Sequence, residues 1–72
     1  MENRDLDLIQ QLIPRNPELA RLMDEHRALE QRLDGFKKLS YLSHHEVVEQ
    51  RELKKRKLAG RDEIERILIR YR

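Results

Sequence analysis

The chain has 72 residues, of which 42% are charged and 4% are aromatic. A chain this short cannot enclose a deep pocket in a large core, which excludes dinucleotide-binding folds and barrel enzymes. It contains no Cys, which excludes disulfides, iron–sulfur clusters, cysteine nucleophiles and Cys-ligated zinc. The net charge is +2, but residues 1–36 hold five basic and eight acidic residues, and residues 37–72 hold eleven basic and six acidic ones. Because the two halves of the chain have opposite net charge, they are predicted to contact each other, within one chain or between chains.

The first predicted helix covers about residues 5–13. Leu6, Ile9 and Ile13 share one of its faces at helical spacing. Pro14 ends it, because proline disfavours helix at the preceding residue and lacks an N–H group. A helix of about nine residues is not stable alone in water, so we expect it to dock on the rest of the chain.

The second predicted helix covers about residues 17–39. Asn16 is a good N-cap, and Pro17 suits the first helical turn. A seam with alternating steps of three and four residues follows, and this spacing is typical of a coiled coil. The seam contains Leu19, Leu22, His26, Leu29, Leu33 and Phe36.

The third predicted helix covers about residues 44–71 and follows a short connection, which predicts an antiparallel hairpin. Ser43 and Glu46 have the spacing of a capping box. The seam is weak in the middle, where Gly60 costs roughly 1 kcal/mol relative to Ala. We expect Gly60 to allow a close approach of the long helices or to make room for Met23. The seam contains Leu53, Lys57, Gly60, Ile64, Ile67 and Tyr71, with Leu58 and Leu68 beside it.

The predicted fold is therefore all-α, a coiled-coil-like antiparallel hairpin with a short N-terminal helix in one domain. The pairing places Leu29 against Leu53, and we expect Glu30 and Asp34 to lie near Arg51 and Lys54. The apolar stripe is wider than a two-helix seam needs, and so small a core rarely suffices alone, which predicts a homo-oligomer, most simply a symmetric four-helix dimer. The residues predicted to pack and self-associate are Leu19, Leu22, His26, Leu29, Leu33, Phe36, Leu53, Leu58, Ile64, Ile67 and Leu68.

Two segments carry a family resemblance. One is Leu22-x-x-Glu25-His26-x-x-Leu29-Glu30; the other is Ser43-x-x-Glu46 followed by Leu53-Lys54-x-x-Lys57-Leu58-x-x-Arg61-Asp62-Glu63-Ile64. On these motifs the chain resembles, over about residues 16–70, the YdcH-like family of small bacterial helical proteins, a domain of unknown function. The resemblance implies an α-helical hairpin with no assigned activity and no catalytic residues.

The histidines are the candidates for chemistry. His26 on the seam could act as a pH switch or a ligand, but we favour a polar residue that fixes register through one hydrogen bond. His44 and His45 are adjacent and point about 100° apart on a helix. His45 and Glu49 have ligand spacing but supply only two groups, so no metal or other cofactor is predicted.

Residues 51–61 hold six basic residues and one acidic residue. Such a helix can follow phosphates or lie on an anionic membrane, but it has no aromatic side chain for base stacking. We favour a solvated or ion-paired face and keep nucleic-acid binding as the alternative. The possible nucleic-acid contacts are Lys54, Lys55, Arg56, Lys57 and Arg61.

The predicted function is therefore a small non-catalytic module for self-association and protein–protein interaction, with an unidentified protein partner. An enzyme is not expected, since Ser40, Ser43 and two Tyr supply the only hydroxyls and no glycine loop holds phosphate. The longest apolar run, residues 67–69, cannot span a membrane. The start lacks the apolar stretch of a signal peptide, so we expect a cytoplasmic protein.

Overall fold

A computed structural model describes residues 3–71 of the chain. Its elements are α1 (Asn3–Leu12), a 3₁₀ turn (Ile13–Arg15), α2 (Pro17–Lys37) and α3 (His44–Ile69). The long helices α2 and α3 pack against each other in a body of 42 × 19 × 18 Å. The predicted all-α hairpin with a short N-terminal helix is confirmed.

Both long helices begin at the predicted caps. Asn16 Oδ1 accepts a hydrogen bond of 3.1 Å from the Leu19 N–H, and Pro17 occupies the first turn of α2. At α3, Ser43 Oγ accepts from the Glu46 N–H at 3.2 Å, and Glu46 Oε1 accepts from the Ser43 N–H at 3.0 Å. These bonds satisfy N–H groups that a helix start leaves without an intrahelical partner.

Both long helices end two residues before the predicted positions, at Lys37 and at Ile69. After each end, two backbone N–H groups bond to carbonyls three residues earlier rather than four. This tightening of the last turn satisfies carbonyls at the helix end without glycine or proline. The sequence therefore gives no signal for these boundaries.

The short helix α1 docks on the open end of the hairpin, as expected for a helix too short to stand alone. Ile9 and Leu12 are buried there, whereas Leu6 is 40% exposed and Ile13 is only partly buried. The buried face of α1 is thus rotated from the predicted one, because the chain bends into the 3₁₀ turn at Ile13. The core at this end contains Ile9, Leu12, Leu19, Leu22, Ile64, Ile67 and Leu68.

The hairpin is packed at its two ends and loosely in the middle. Near the connection, Leu33 and Phe36 are buried. Between Leu22 and Leu33, no described residue of α2 is buried, and in α3 none is buried before Ile64. The packed end and the connection are therefore separated by several turns of helix that the chain itself does not fill.

Two expectations for α3 are wrong. Leu58 does not widen the seam; it is 62% exposed, because five residues after Leu53 it lies about 140° around the helix. Gly60 does not mediate a close approach or make room for Met23, since a Cβ atom added there would meet nothing within 4 Å. Tyr71 lies beyond the end of α3 and is 54% exposed.

The acids of α2 and the bases of α3 that were expected to lie near each other do so only in part. Glu30, Asp34 and Lys54 line one groove between the helices, but within the described residues they form no ion pair with one another. Among residues 3–71, neither Glu30 nor Asp34 forms an ion pair with Arg51 or Lys54, and Asp34 instead lies 3.6 Å from Lys37. A side-chain hydrogen bond between α2 and α3 does form from Arg32 to Glu49. It pairs a base of the acidic half with an acid of the basic half, so net charge did not indicate it.

Candidate interaction groove

The unfilled middle of the hairpin forms an open groove of about 620 Å³ between α2 and α3, which we call the central groove. Its floor contains Leu22, Leu29 and Leu53. Leu22 is buried by the end core, whereas Leu29 and Leu53 are only half-buried. Leu29 and Leu53, which the sequence analysis pairs, therefore line the same groove. They form the floor of an open surface and not a closed core.

The sequence produces this groove through small side chains at its edges. Ala28 on α2 and Ala59 and Gly60 on α3 line the groove, and none is large enough to cover the leucines. Lys57 takes a seam position and is half-buried, which fits burial of its stem with the ammonium toward water. The missing apolar volume at these positions leaves the floor open.

His26 also lines the central groove, and its side chain is 12% exposed. Its Nε2 atom lies 2.7 Å from Glu30 Oε1 on the same helix. Its Nδ1 atom is buried without a hydrogen-bond partner in the described part of the chain. The predicted role in register is therefore wrong, because the polar contact stays within α2.

The rims of the central groove carry charges of both signs. Glu25 and Arg32 line the α2 side, and Arg56 and Glu63 line the α3 side. Glu25 accepts a bond of 2.8 Å from Arg21. Arg56 and Glu63 form no ion pair within the described residues. One rim thus carries two exposed charged side chains, without an ion pair among residues 3–71, at the edge of an apolar floor.

The five basic residues predicted as nucleic-acid contacts do not form one surface. Lys54, Lys57 and Arg61 line a second groove of about 520 Å³ that also contains Glu30 and Asp34. The others lie elsewhere on α3: Arg56 is on the central groove, and Lys55 is exposed and 4.0 Å from Glu52. Positions 54–57 advance by about 100° per residue, so they go around the helix.

The remaining histidines form no metal site in the described part of the chain, where no group of three or more potential ligands occurs. Glu49, the possible companion of His45, is bonded to Arg32. Within residues 3–71, no helix has the length and apolar character that crossing a membrane requires.

Sequence reasoning did not identify the rims of the central groove, and it named Arg56 only as a possible nucleic-acid contact. Their signal was present: Glu25 and Arg32 are seven residues apart, as are Arg56 and Glu63. Seven residues are about two helical turns, so each pair lies on one face beside the seam. The charges were considered by half of the chain, in the basic stretch 51–61 and in a few expected pairs, but not as two rims on either side of one groove.

Comparison with known proteins gives one family. Neither the search of curated proteins nor the search of solved structures finds a match. A family model described as "Protein of unknown function (DUF465)" matches residues 19–68. This range contains almost all of α2, the connection and almost all of α3, and with them the whole central groove. The chain therefore belongs to the DUF465 family of proteins of unknown function.

Proposed function

We propose that this protein is a small non-catalytic coiled-coil module, YdcH-like in type and acting in the cytoplasm, that self-associates and binds protein partners through the central groove. The observation that carries the proposal is the open floor, where Leu29 and Leu53 stay half-buried between two packed ends. Burial of apolar surface drives most protein association. A second helical surface on this floor would complete the core that one hairpin leaves open.

The chemistry of the surface supports the proposal. The floor is apolar and the rims are charged, as is typical of interfaces with an apolar core and a polar rim. Small side chains at positions 28, 59 and 60 leave the leucines of the floor accessible to another helix.

Sedimentation equilibrium over a range of protein concentrations tests self-association. We expect a discrete oligomer, and we expect Leu53→Ser to shift it toward monomer while Leu58→Ser, the matched change on the exposed face of α3, does not. A folded monomer at every concentration contradicts self-association. An oligomer that responds to Leu58→Ser instead contradicts the role of the central groove.

The alternative is nucleic-acid binding by the basic part of α3. Lys54, Arg56 and Arg61 favour it, because each is exposed and forms no ion pair within the described residues. Lysine and arginine contacts to phosphates are sensitive to salt. The alternative predicts that duplex DNA or RNA is retained at low salt, and that Lys54→Glu with Arg61→Glu abolishes retention and leaves the oligomer intact. Loss of the oligomer in that double variant would contradict the separation of the two functions.

A further inference from the structure

The levels of the charges along the hairpin suggest which partner fits the central groove. Arg32 and Glu49 are bonded and therefore lie at one level of α2 and α3. Glu25 lies seven residues before Arg32 on α2, and Arg56 lies seven residues after Glu49 on α3. Because the helices are antiparallel, both are about two turns farther from the connection. These two rim residues therefore lie at one level, on opposite sides of the floor and with opposite charge. Glu25 is bonded to Arg21 and not to Arg56.

We propose that the partner is a second copy of this chain, related by a twofold axis parallel to the helices. This inference rests on the proposed self-association and specifies its geometry. Such an axis packs α2 of each copy against α3 of the other. It leaves the position of every residue along the helix direction unchanged. Glu25 of each copy then faces Arg56 of the other, so the contact between opposite charges occurs twice.

The apolar floor favours the same axis. Leu29 and Leu53 lie at one level, opposite each other in the groove. An axis parallel to the helices brings both leucines of the second copy to that level, so four half-exposed leucines close one layer. A perpendicular axis through Ala59 and Gly60 would place Arg56 of each copy against Glu63 of the other. It would also move the leucines of the two copies to different levels and leave the hairpin ends uncovered.

The free face of the hairpin is the one this arrangement uses. Leu6 of α1 lines another surface groove together with Met23, His26, Arg27 and Glu30 of α2. His26 also lines the central groove, whereas Met23, Arg27 and Glu30 do not and lie farther around α2 from it. The helix α1 therefore covers the side of α2 on which Met23 and Arg27 lie. The central groove therefore stays open to a second copy over the length between the packed ends.

Charge reversal in separate chains tests the arrangement. Arg56→Glu alone places two acids together at each contact, and Glu25→Arg alone places two bases together. We expect each variant to weaken the homodimer by at least roughly tenfold in association constant, as like charges at an interface do. A one-to-one mixture is expected to restore association, because each contact then pairs an acid with a base. Rescue requires two chains, since within either variant both charges have the same sign.

The controls separate the inference from the proposed function. Arg51→Glu makes the same charge change on the outer face of α3 and is expected to leave association unchanged, and circular dichroism of every variant checks that helix content is kept. A wild-type monomer overturns both proposals. A dimer whose association constant is unchanged by Arg56→Glu overturns this arrangement but not self-association. Rescue of Arg56→Glu by Glu63→Arg, but not by Glu25→Arg, overturns it in favour of the perpendicular axis.

Discussion

Ser43 and Glu46 fix the start of α3 through two reciprocal hydrogen bonds, and one of these bonds depends on pH. The pKa of Glu46 is lowered from its ordinary value of 4.5, first by the bond from the Ser43 N–H and then by the Ser43 side chain. Hydrogen bonds donated by Ser43 to the Glu46 carboxyl group favour its ionised form. A lowered pKa in the folded state means that the stabilisation is present above the ordinary value and disappears as the pH falls through the folded value.

We therefore predict that Glu46→Gln lowers the melting temperature at neutral pH and that the difference from the wild type shrinks toward zero in acid. Thermal circular dichroism between about pH 7 and about pH 3 measures this difference. Ser43→Ala is the companion variant and is expected to cost about 1 kcal/mol through loss of the N-cap. A Glu46→Gln difference that grows in acid would have the wrong sign for this bond.

The polar ring of His26 is expected to destabilise the fold. Its Nδ1 atom is buried without a partner in the described chain, and an unpaired buried polar atom costs about 1–3 kcal/mol. We predict that His26→Leu raises the melting temperature, because it removes that atom and adds apolar contact to the groove floor. Glu30→Ala is the control, since it removes the contact to Nε2 but leaves the ring. A lower melting temperature for His26→Leu would mean that Nδ1 is satisfied in solution.

At the scale of elements, α3 carries a glycine that its geometry does not require. A Cβ atom at Gly60 would meet nothing within 4 Å, and the same holds at Gly35 in α2. Alanine in place of glycine inside a helix is favoured by roughly 1 kcal/mol. We predict that Gly60→Ala raises the melting temperature, with Gly35→Ala as the matched comparison near the end of α2. Destabilisation by Gly60→Ala alone would show that the second copy approaches α3 there.

The elements could be predicted from the sequence wherever a local signal exists. Asn16, Pro17 and Ser43 mark helix starts by side-chain chemistry, and the seam from Leu19 to Phe36 fixes the face that α2 turns inward. The helix ends could not be predicted, because tightened turns satisfy their carbonyls without a special residue. The ion pairs were predicted from the pairing of the helices and the opposite charges of the two halves of the chain, whereas the bond between Arg32 and Glu49 depends on whether two long side chains at one level of the hairpin can reach each other.

At the scale of the whole molecule, the sequence predicted a continuous seam that is weak in the middle of α3, and the structure shows two packed ends separated by an open middle. The difference arises because a heptad pattern records which positions face inward and not whether they are filled. Lys57 and Gly60 interrupt the seam in α3, and His26 does so in α2. The candidate site lies where these interruptions coincide, which only the pairing of the two helices reveals.

This division predicts two distinct responses to loss of a core side chain. Ile64 is 1% exposed in the end core, so Ile64→Ala is expected to cost about 2–5 kcal/mol through a buried cavity and to lower the melting temperature at every protein concentration. Leu53 lies on the open floor, so Leu53→Ala removes less contact within one chain but removes part of the layer shared between copies.

Protein concentration separates these responses, because association that requires the folded state raises the melting temperature as concentration rises. We expect the wild type and Ile64→Ala to show parallel increases, displaced from each other, and Leu53→Ala to show a flatter one. Thermal circular dichroism over a hundredfold range of protein concentration measures these slopes. Over that range, association at saturating concentration changes the free energy of unfolding by roughly 2.7 kcal/mol. Equal slopes for all three proteins would place the contact between copies outside the central groove, whereas a flat wild-type slope would mean that the hairpin folds alone.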